Sequence, residues 1–475
     1  MFADIDITLN IQSNVNYTTT ANVLGSSINL LDTSNATTEY RWNVTSFSFT
    51  NENSVSVQYK INGASSFSTF DAGIGSQSFQ SVVDALNTLG IGTFNTYTEV
   101  GQVYIGTYNQ NYAFGNLNIY LASTINQNFV YGTGFNTASL FVTTPNNQVY
   151  VNGQFSSYNG TSIGAVSNIN IDGSLNTNFN TTNNFTTYCT AVQSDGKILI
   201  GGDFTLFNGV TANSIVRINQ DGTTDNTFNS GTGFDSIVNC IAIQPNGQIL
   251  VGGYFTTYNG GTANRIIRLN SDGSKDTSFV YGTGFNNTTN QILLLSNGQM
   301  YVSGSFNSYN GGFGNVNLIR LNSNGSKDTT FSSGVPNISG LNALTLQSDN
   351  KLIVGGNFTN WAGNTAGHII RLNTNGSVDT TFNSGTGFDA TILSTAIMSN
   401  GQILCGGQFT SYNGTTSNYI ARLNSNGNYD TTWNIGSGFD NQVISLSILN
   451  GQLYCAGAFT QFNGVSANRI ISLNL

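Results

Sequence analysis

A phenylalanine recurs seven times in this chain at a nearly constant interval. It stands at Phe155, Phe204, Phe255, Phe306, Phe358, Phe409 and Phe459, with spacings of 49, 51, 51, 52, 51 and 50 residues. The same surroundings return each time: an apolar run, a pair of small residues that is usually Gly-Gly, one variable residue, the Phe, and three residues later an aromatic ahead of a turn. A period this regular means one supersecondary unit repeated seven times, each burying its apolar surface against its neighbours.

The third unit shows the pattern. Residues 237–243 alternate loosely and predict a first strand, Pro245-Asn246-Gly247 a hairpin turn, and residues 248–256 a second strand with Ile249, Val251 and Phe255 on one face. A turn at Tyr258-Asn259-Gly260-Gly261 leads to a third strand over 265–270. Ser271-Asp272-Gly273-Ser274 turns again into a short fourth strand from Lys275 to Phe279, and Gly282-Thr283-Gly284-Phe285 crosses to the next unit. No unit carries a 3.6-residue apolar period, so helical repeats are excluded. Three or four short antiparallel strands per 50 residues describe a propeller blade, and seven blades lie within the usual range.

The chain ends at Leu475, before the seventh unit reaches a fourth strand. The missing piece matches Asn126-Gln127-Asn128-Phe129 and Gly132-Thr133-Gly134-Phe135 ahead of the first unit. Residues 122–135 are therefore expected to complete the last blade, which removes two open strand edges.

Residues 1–115 lack the motif. Ile5-Asp6-Ile7-Thr8-Leu9 and residues 54–59 alternate like strands, while Phe79, Val82, Val83, Leu86 and Leu89 follow a helical period bounded by Ser76 or Ser78 and by Gly90. The chain's glutamates, Glu39, Glu52 and Glu99, all lie here. The expected class is thus all-β: a seven-bladed β-propeller over 116–475, preceded by a small N-terminal α+β domain over 1–115 that serves docking or attachment.

Composition narrows the function. Charged residues are 7% of the chain and the net charge is −9, so no basic face exists for nucleic acid or anionic lipid. The N-terminus shows no basic stretch followed by an apolar run, and no segment has the roughly 18 apolar residues of a membrane helix. We expect neither nucleic-acid binding nor membrane insertion. Cys189 and Cys240 occupy one repeat position and Cys405 and Cys455 another, each in place of an apolar strand residue, which reads as buried small hydrophobes.

Two repeated sets of residues are candidates for structure or function. Arg217, Arg268, Arg320, Arg371 and Arg422 are each followed eight residues later by an aspartate: Asp225, Asp276, Asp328, Asp379 and Asp430. Units one and seven lack both charges, so the pairs are read as ion pairs between neighbouring strands. Replacing Arg268 by Ala is expected to cost about 1–3 kcal/mol if the pair is partly buried. The alternative is a ring of carboxylates holding Ca²⁺; otherwise no cofactor or metal is expected. Tyr158, Phe207, Tyr258, Tyr309, Trp361, Tyr412 and Phe462 form the second set. Either each packs beneath its own turn, or together they offer stacking platforms for sugars. Catalysis has little material. His368 is the sole histidine, aligned with Arg265 and Arg469 where a solvated side chain is expected, and the repeat region has no Glu. Only Asp203, Asp235, Asp389 and Asp440 remain for a glycosidase pair, and no catalytic residue is assigned.

Runs such as GKILIGGDFTLFNG from Gly196 and IIRLNSDGSKDTSF from Ile266 resemble the delta-sixty repeat, a β-propeller module of bacterial surface and bacteriophage proteins. The resemblance covers residues 117–475. It implies the fold and a setting but no activity. Together with the absence of a signal-peptide pattern and the polar, uncharged surface, it supports the leading expectation, a non-enzymatic virion spike, fibre or decoration protein. Residues 1–115 would bind other virion proteins, and the propeller would face a host-cell glycan or protein. The alternatives are a bacterial secreted or surface adhesin, and a polysaccharide-degrading enzyme.

Overall fold

The computed structural model describes residues 126–475, apart from 127–128, 131, 138–139, 183–184, 314–316, 335–339 and 434. Before residue 126 it describes strand backbones alone. These form a four-stranded sheet in the order Ser68–Gly75, Asn53–Ile61, Ile5–Gln12, Leu121–Ala122, and a five-stranded sheet in the order Phe94–Glu99, Gln102–Tyr108, Glu39–Val44, Ser27–Asp32, Asn116–Asn118. The helix expected over 79–89 lies outside the described residues.

From residue 140 onward, seven three-stranded antiparallel sheets follow one another. In the third, Val238–Ile243 pairs with Ile249–Gly253, which pairs with Ile266–Leu269. The fourth strand is reduced to a bridge between Leu269 and Lys275 and a bond from the Asp276 amide to the Arg268 carbonyl. A second small hairpin, Thr257–Tyr258 with Gly261–Thr262, interrupts the path between strands two and three. Its turn has Asn259 at φ 52° and Gly260 at φ 74°, the left-handed pair that a type I′ turn needs. The Asn259 carboxamide oxygen accepts from the Thr232 amide, 3.0 Å away, tying the hairpin to the segment that enters the blade.

First strands of successive blades pack against each other around an axis, and second strands are buried on both faces between neighbouring blades. Packing explains the glycine pairs. A Cβ on Gly201 would lie 2.4 Å from a methyl carbon of Val238 in the next blade, and one on Gly202 would lie 2.4 Å from the Thr186 carbonyl oxygen of its own first strand. That strand comes so near because it bulges. In blades two to seven the register slips by one residue in the first strand, leaving Tyr188, Asn239, Asn290, Asn342, Leu393 and Ile444 unpaired.

The ring closes as the sequence suggests. The Asn126 amide donates to the Ser472 carbonyl at 2.9 Å, and its Nδ2 reaches the Ser472 hydroxyl at 3.2 Å. These two residues hold the positions of Asp and Arg in the middle blades. Phe129 is buried against Tyr454, with ring centroids 5.8 Å apart. The Val130 amide then bonds to the Asp172 carbonyl of blade one, as Asn229 bonds to Asp272 between blades two and three. At the axis, the Val142 amide donates to the Ser445 hydroxyl, and Thr144 meets Ser447 at 2.7 Å. Blade seven is therefore joined to blade one at both its inner and outer edges.

Two expectations need correction. His368 is buried, not solvated: it sits at φ 68°, and its Nδ1 donates to the Gly356 carbonyl at 3.0 Å. Cys240, Cys405 and Cys455 are buried, but Cys189 is only partly so.

Candidate functional site

The aromatic set is core. Tyr158, Phe207, Tyr258, Tyr309, Trp361, Tyr412 and Phe462 are each no more than 3% exposed. The tyrosine hydroxyls donate to turn carbonyls of their own blades: Tyr158 to Gly173 at 2.7 Å, Tyr258 to Gly273 at 2.6 Å, Tyr309 to Gly325 at 2.5 Å, and Tyr412 to Gly427. Trp361 Nε1 donates to the Ser333 carbonyl. In most blades the linker Phe lies between this ring and the repeat Phe, as Phe234 does at 4.3 Å from Phe255 and 4.5 Å from Tyr258. Rings buried on both faces offer no stacking platform. A residue needed equally in every blade belongs to the blade.

The charged set is also structural, and more extensive than a pair. Nε of Arg217, Arg268, Arg320, Arg371 and Arg422 lies 2.6–2.8 Å from Oδ2 of its aspartate. In the first four, Nη1 also donates to a turn carbonyl of the next blade, at Ser271, Ser323, Thr374 and Ser425. The guanidinium lies over Phe228, Phe279, Phe331, Phe382 or Trp433, 4.9–5.1 Å from the ring centre. Blade one replaces the pair with Asn176 and Asn168, 2.8 Å apart. Burial opposes ionisation of these aspartates, but hydrogen bonds outweigh it. For Asp328, the Thr330 hydroxyl and amide and the Arg320 guanidinium hold the carboxyl at about 2. The donors that surround each carboxylate leave no ring of acids for Ca²⁺.

Most of the remaining acids are engaged too. Asp235 Oδ1 accepts from the amides of Thr256 and Thr257 at 2.8 and 2.9 Å, and Oδ2 from the Thr256 hydroxyl. Asp389 and Asp440 repeat this clamp on the small hairpins of blades six and seven. No two of these carboxylates are therefore free to flank a scissile bond. All four are exposed, but among the described residues Asp203 alone of them clamps no hairpin.

The site that the geometry offers lies on the axis. A cavity of 720 Å³ is lined by residues from all seven first strands. Its wall is set by the bulged repeat position, held by Tyr188, Asn239, Asn290, Asn342, Leu393 and Ile444 in ring order, and in blade one by Phe141, which pairs with Asn152 one place further along the strand. In six blades that position is the bulge, which turns a side chain out of the ladder and toward the axis. The ring of seven is divided. Asn239, Asn290 and Asn342 stand together, while Leu393, Ile444, Phe141 and Tyr188 form an apolar arc opposite. Asn239 Nδ2 donates to the Thr289 carbonyl at 3.2 Å and Asn342 Nδ2 to the Ile392 carbonyl at 3.1 Å, so the carboxamides are pinned to neighbouring blades. Tyr254, 52% exposed, adds a second phenol at the rim. Burial raises the pKa of the Tyr188 hydroxyl, and the charges of Asp203 and Tyr254 add to the rise.

This position was missed in the sequence because it breaks the repeat. The seven lining residues are of four chemical kinds, in a unit that keeps its repeat Phe and the aromatic three residues later in every copy. Variation inside a regular scaffold is where a site is expected, and that was the available signal.

Five segments, residues 193–228, 244–279, 295–331, 347–382 and 399–432, match a family described as a domain of unknown function (DUF5122) beta-propeller. The repeat is a β-propeller repeat. The five segments are the blades that carry the Arg–Asp pair; blades one and seven, which lack it, fall outside the match. No curated protein matches the sequence. Among solved structures, the WD40 beta propeller domain of Doa1 is similar at 13% identity and a TM-score of 0.47, over 72% of this chain and 93% of that one. A virginiamycin B lyase from Staphylococcus aureus shows 18% identity and a TM-score of 0.42 over 73% and 98%. The extracellular domain of the one-component system BT4673 from B. thetaiotaomicron shows 18% and 0.44 over 73% and 39%. Among the described residues no helix is long and apolar enough to cross a membrane.

Proposed function

We propose that this chain is a non-catalytic binding propeller that takes a cell-surface glycan at the axial mouth. The divided ring carries the reading. A sugar has an apolar ring face and hydroxyls at its edge. Leu393, Ile444, Phe141 and Tyr188 suit the first, and Asn239, Asn290 and Asn342 the second. Engagement of Asp235, Asp389, Asp440 and the five paired aspartates supports binding rather than hydrolysis. The working setting is a bacterial secreted or surface adhesin, because it requires only the propeller. The virion setting further requires a docking role for residues 1–115.

The full chain on an array of bacterial surface glycans tests this. Saturable binding is expected to fall about tenfold in Tyr254→Ala and in Asn290→Ala, each loss being that of one stacking or hydrogen-bonding contact. Both side chains are exposed, so melting should not change. Glycan binding that neither substitution alters would place the site elsewhere.

A further inference from the structure

The mouth also carries one feature that a neutral sugar does not use. Close to the axial position in each blade is the residue between the glycine pair and the repeat Phe, held by Gln154, Asp203, Tyr254, Ser305, Asn357, Gln408 and Ala458, of which Tyr254 lines the cavity. Across both sets, Asp203 is the one charged side chain. It pairs through its backbone with Thr186, two residues before the bulged Tyr188, and it holds in blade two the position that Tyr254 holds in blade three. The exposed acids Asp235, Asp389 and Asp440 clamp hairpins; among the described residues nothing bonds to the Asp203 carboxylate. The cations of its blade, Lys197 and Arg217, both bind Asp225 instead, at 2.9 and 2.7 Å.

We propose that the glycan bound here is an amino sugar with a free ammonium group, seated between Asp203 and the phenol rings of Tyr188 and Tyr254. This rests on the binding reading above. A carboxylate beside two electron-rich rings suits a cation. A single carboxylate is far short of the six to eight oxygens that Ca²⁺ takes, whereas an ammonium needs only three acceptors. The ligand's remaining hydroxyls and ring face then meet the carboxamides and the apolar arc. Through its pairing with Thr186, Asp203 stands diagonally across the ladder from Tyr188, and Tyr188 and Tyr254 line the cavity together.

The test is calorimetric titration of the full chain with a glucosamine oligomer and an N-acetylglucosamine oligomer of equal length, at pH 6 and low salt. The deacetylated oligomer is expected to bind about tenfold more tightly, as one cation–π and one charge contact allow. Asp203→Asn should erase that preference without altering the melting temperature. Equal affinities, no binding of the deacetylated oligomer, or a preference that survives in Asp203→Asn would each overturn the proposal. Failure here remains distinct from failure of the mouth itself: array binding lost in Tyr254→Ala but kept in Asp203→Asn would leave a neutral-glycan site standing.

Discussion

A chain starting at residue 137 melts at least about 10 °C below one starting at residue 120. The longer chain keeps the segment that completes blade seven; the shorter one loses three things at once. The hydrogen bonds from Asn126 to Ser472 and from Val130 to Asp172 disappear. Phe129 no longer covers Tyr454, and Phe135 no longer packs 4.7 Å from Phe155 and 4.6 Å from Tyr158. Removing one buried Phe side chain costs about 3–5 kcal/mol, so losing two costs about 6–10 kcal/mol, and at the usual unfolding entropy per residue a kcal/mol shifts a domain of this size by roughly 1–2 °C. The opened third strand of blade seven would also expose a free edge, so the shorter chain should associate at high concentration. Thermal scans of both chains check this. Equal melting would mean that residues 126–135 do not hold the ring.

The second large effect is at the seams between blades. Arg268→Ala is expected to cost about 3–5 kcal/mol at neutral pH, more than the sequence alone suggests. Its guanidinium bonds to Asp276 at 2.6 Å and to Ser278 at 3.0 Å, lies over Phe279, and reaches the Ser323 carbonyl of the next blade. Alanine would strand a buried carboxylate and open a seam. Arg422→Ala should cost less, because among the described residues that side chain bonds only to Asp430 and lies over Trp433. The acid dependence has a definite sign. The folded aspartates ionise below their ordinary value of 3.8, Asp328 at about 2. Their contribution is thus complete above about pH 4 and fades as pH falls through the folded values. The gap between wild type and Arg268→Ala should narrow over that range in urea titrations. A gap that is constant down to pH 2 would contradict the ion-pair account.

The scaffold was legible because repetition averages over local ambiguity. Seven copies of the Gly two residues before the repeat Phe and of the Gly in the turn after it fix where strands end, even though each blade strand is only four to seven residues long. Arg and Asp vanish together from blades one and seven, which identified them as partners before any distance was known. Function was less legible for the same reason. The repeated aromatics, Trp361 among them, draw the eye and belong to the core, while the axial residues look like noise in an otherwise regular strand. Nothing in the sequence marks Tyr188 or Asn239 as a bulge. The bulge recurs where no glycine pair stands opposite, at Ser303-Gly304 and Ala456-Gly457, so it goes with the packing of first strands around the axis, which is a tertiary constraint. His368 misled for a similar reason. Arg265 and Arg469 at its position suggested solvent, but what the position demands is a left-handed backbone at the start of a third strand.

Tyrosine nitration read by peptide mass spectrometry tests the location of the site most directly. In the free full chain, Tyr254 should react readily, while Tyr158, Tyr258, Tyr309 and Tyr412 stay unmodified. With the glycan selected on the array present at saturation, Tyr254 should become protected and the buried tyrosines should not change. Undiminished nitration of Tyr254 in the saturated complex, with protection appearing instead on the outer rim, would contradict an axial binding site.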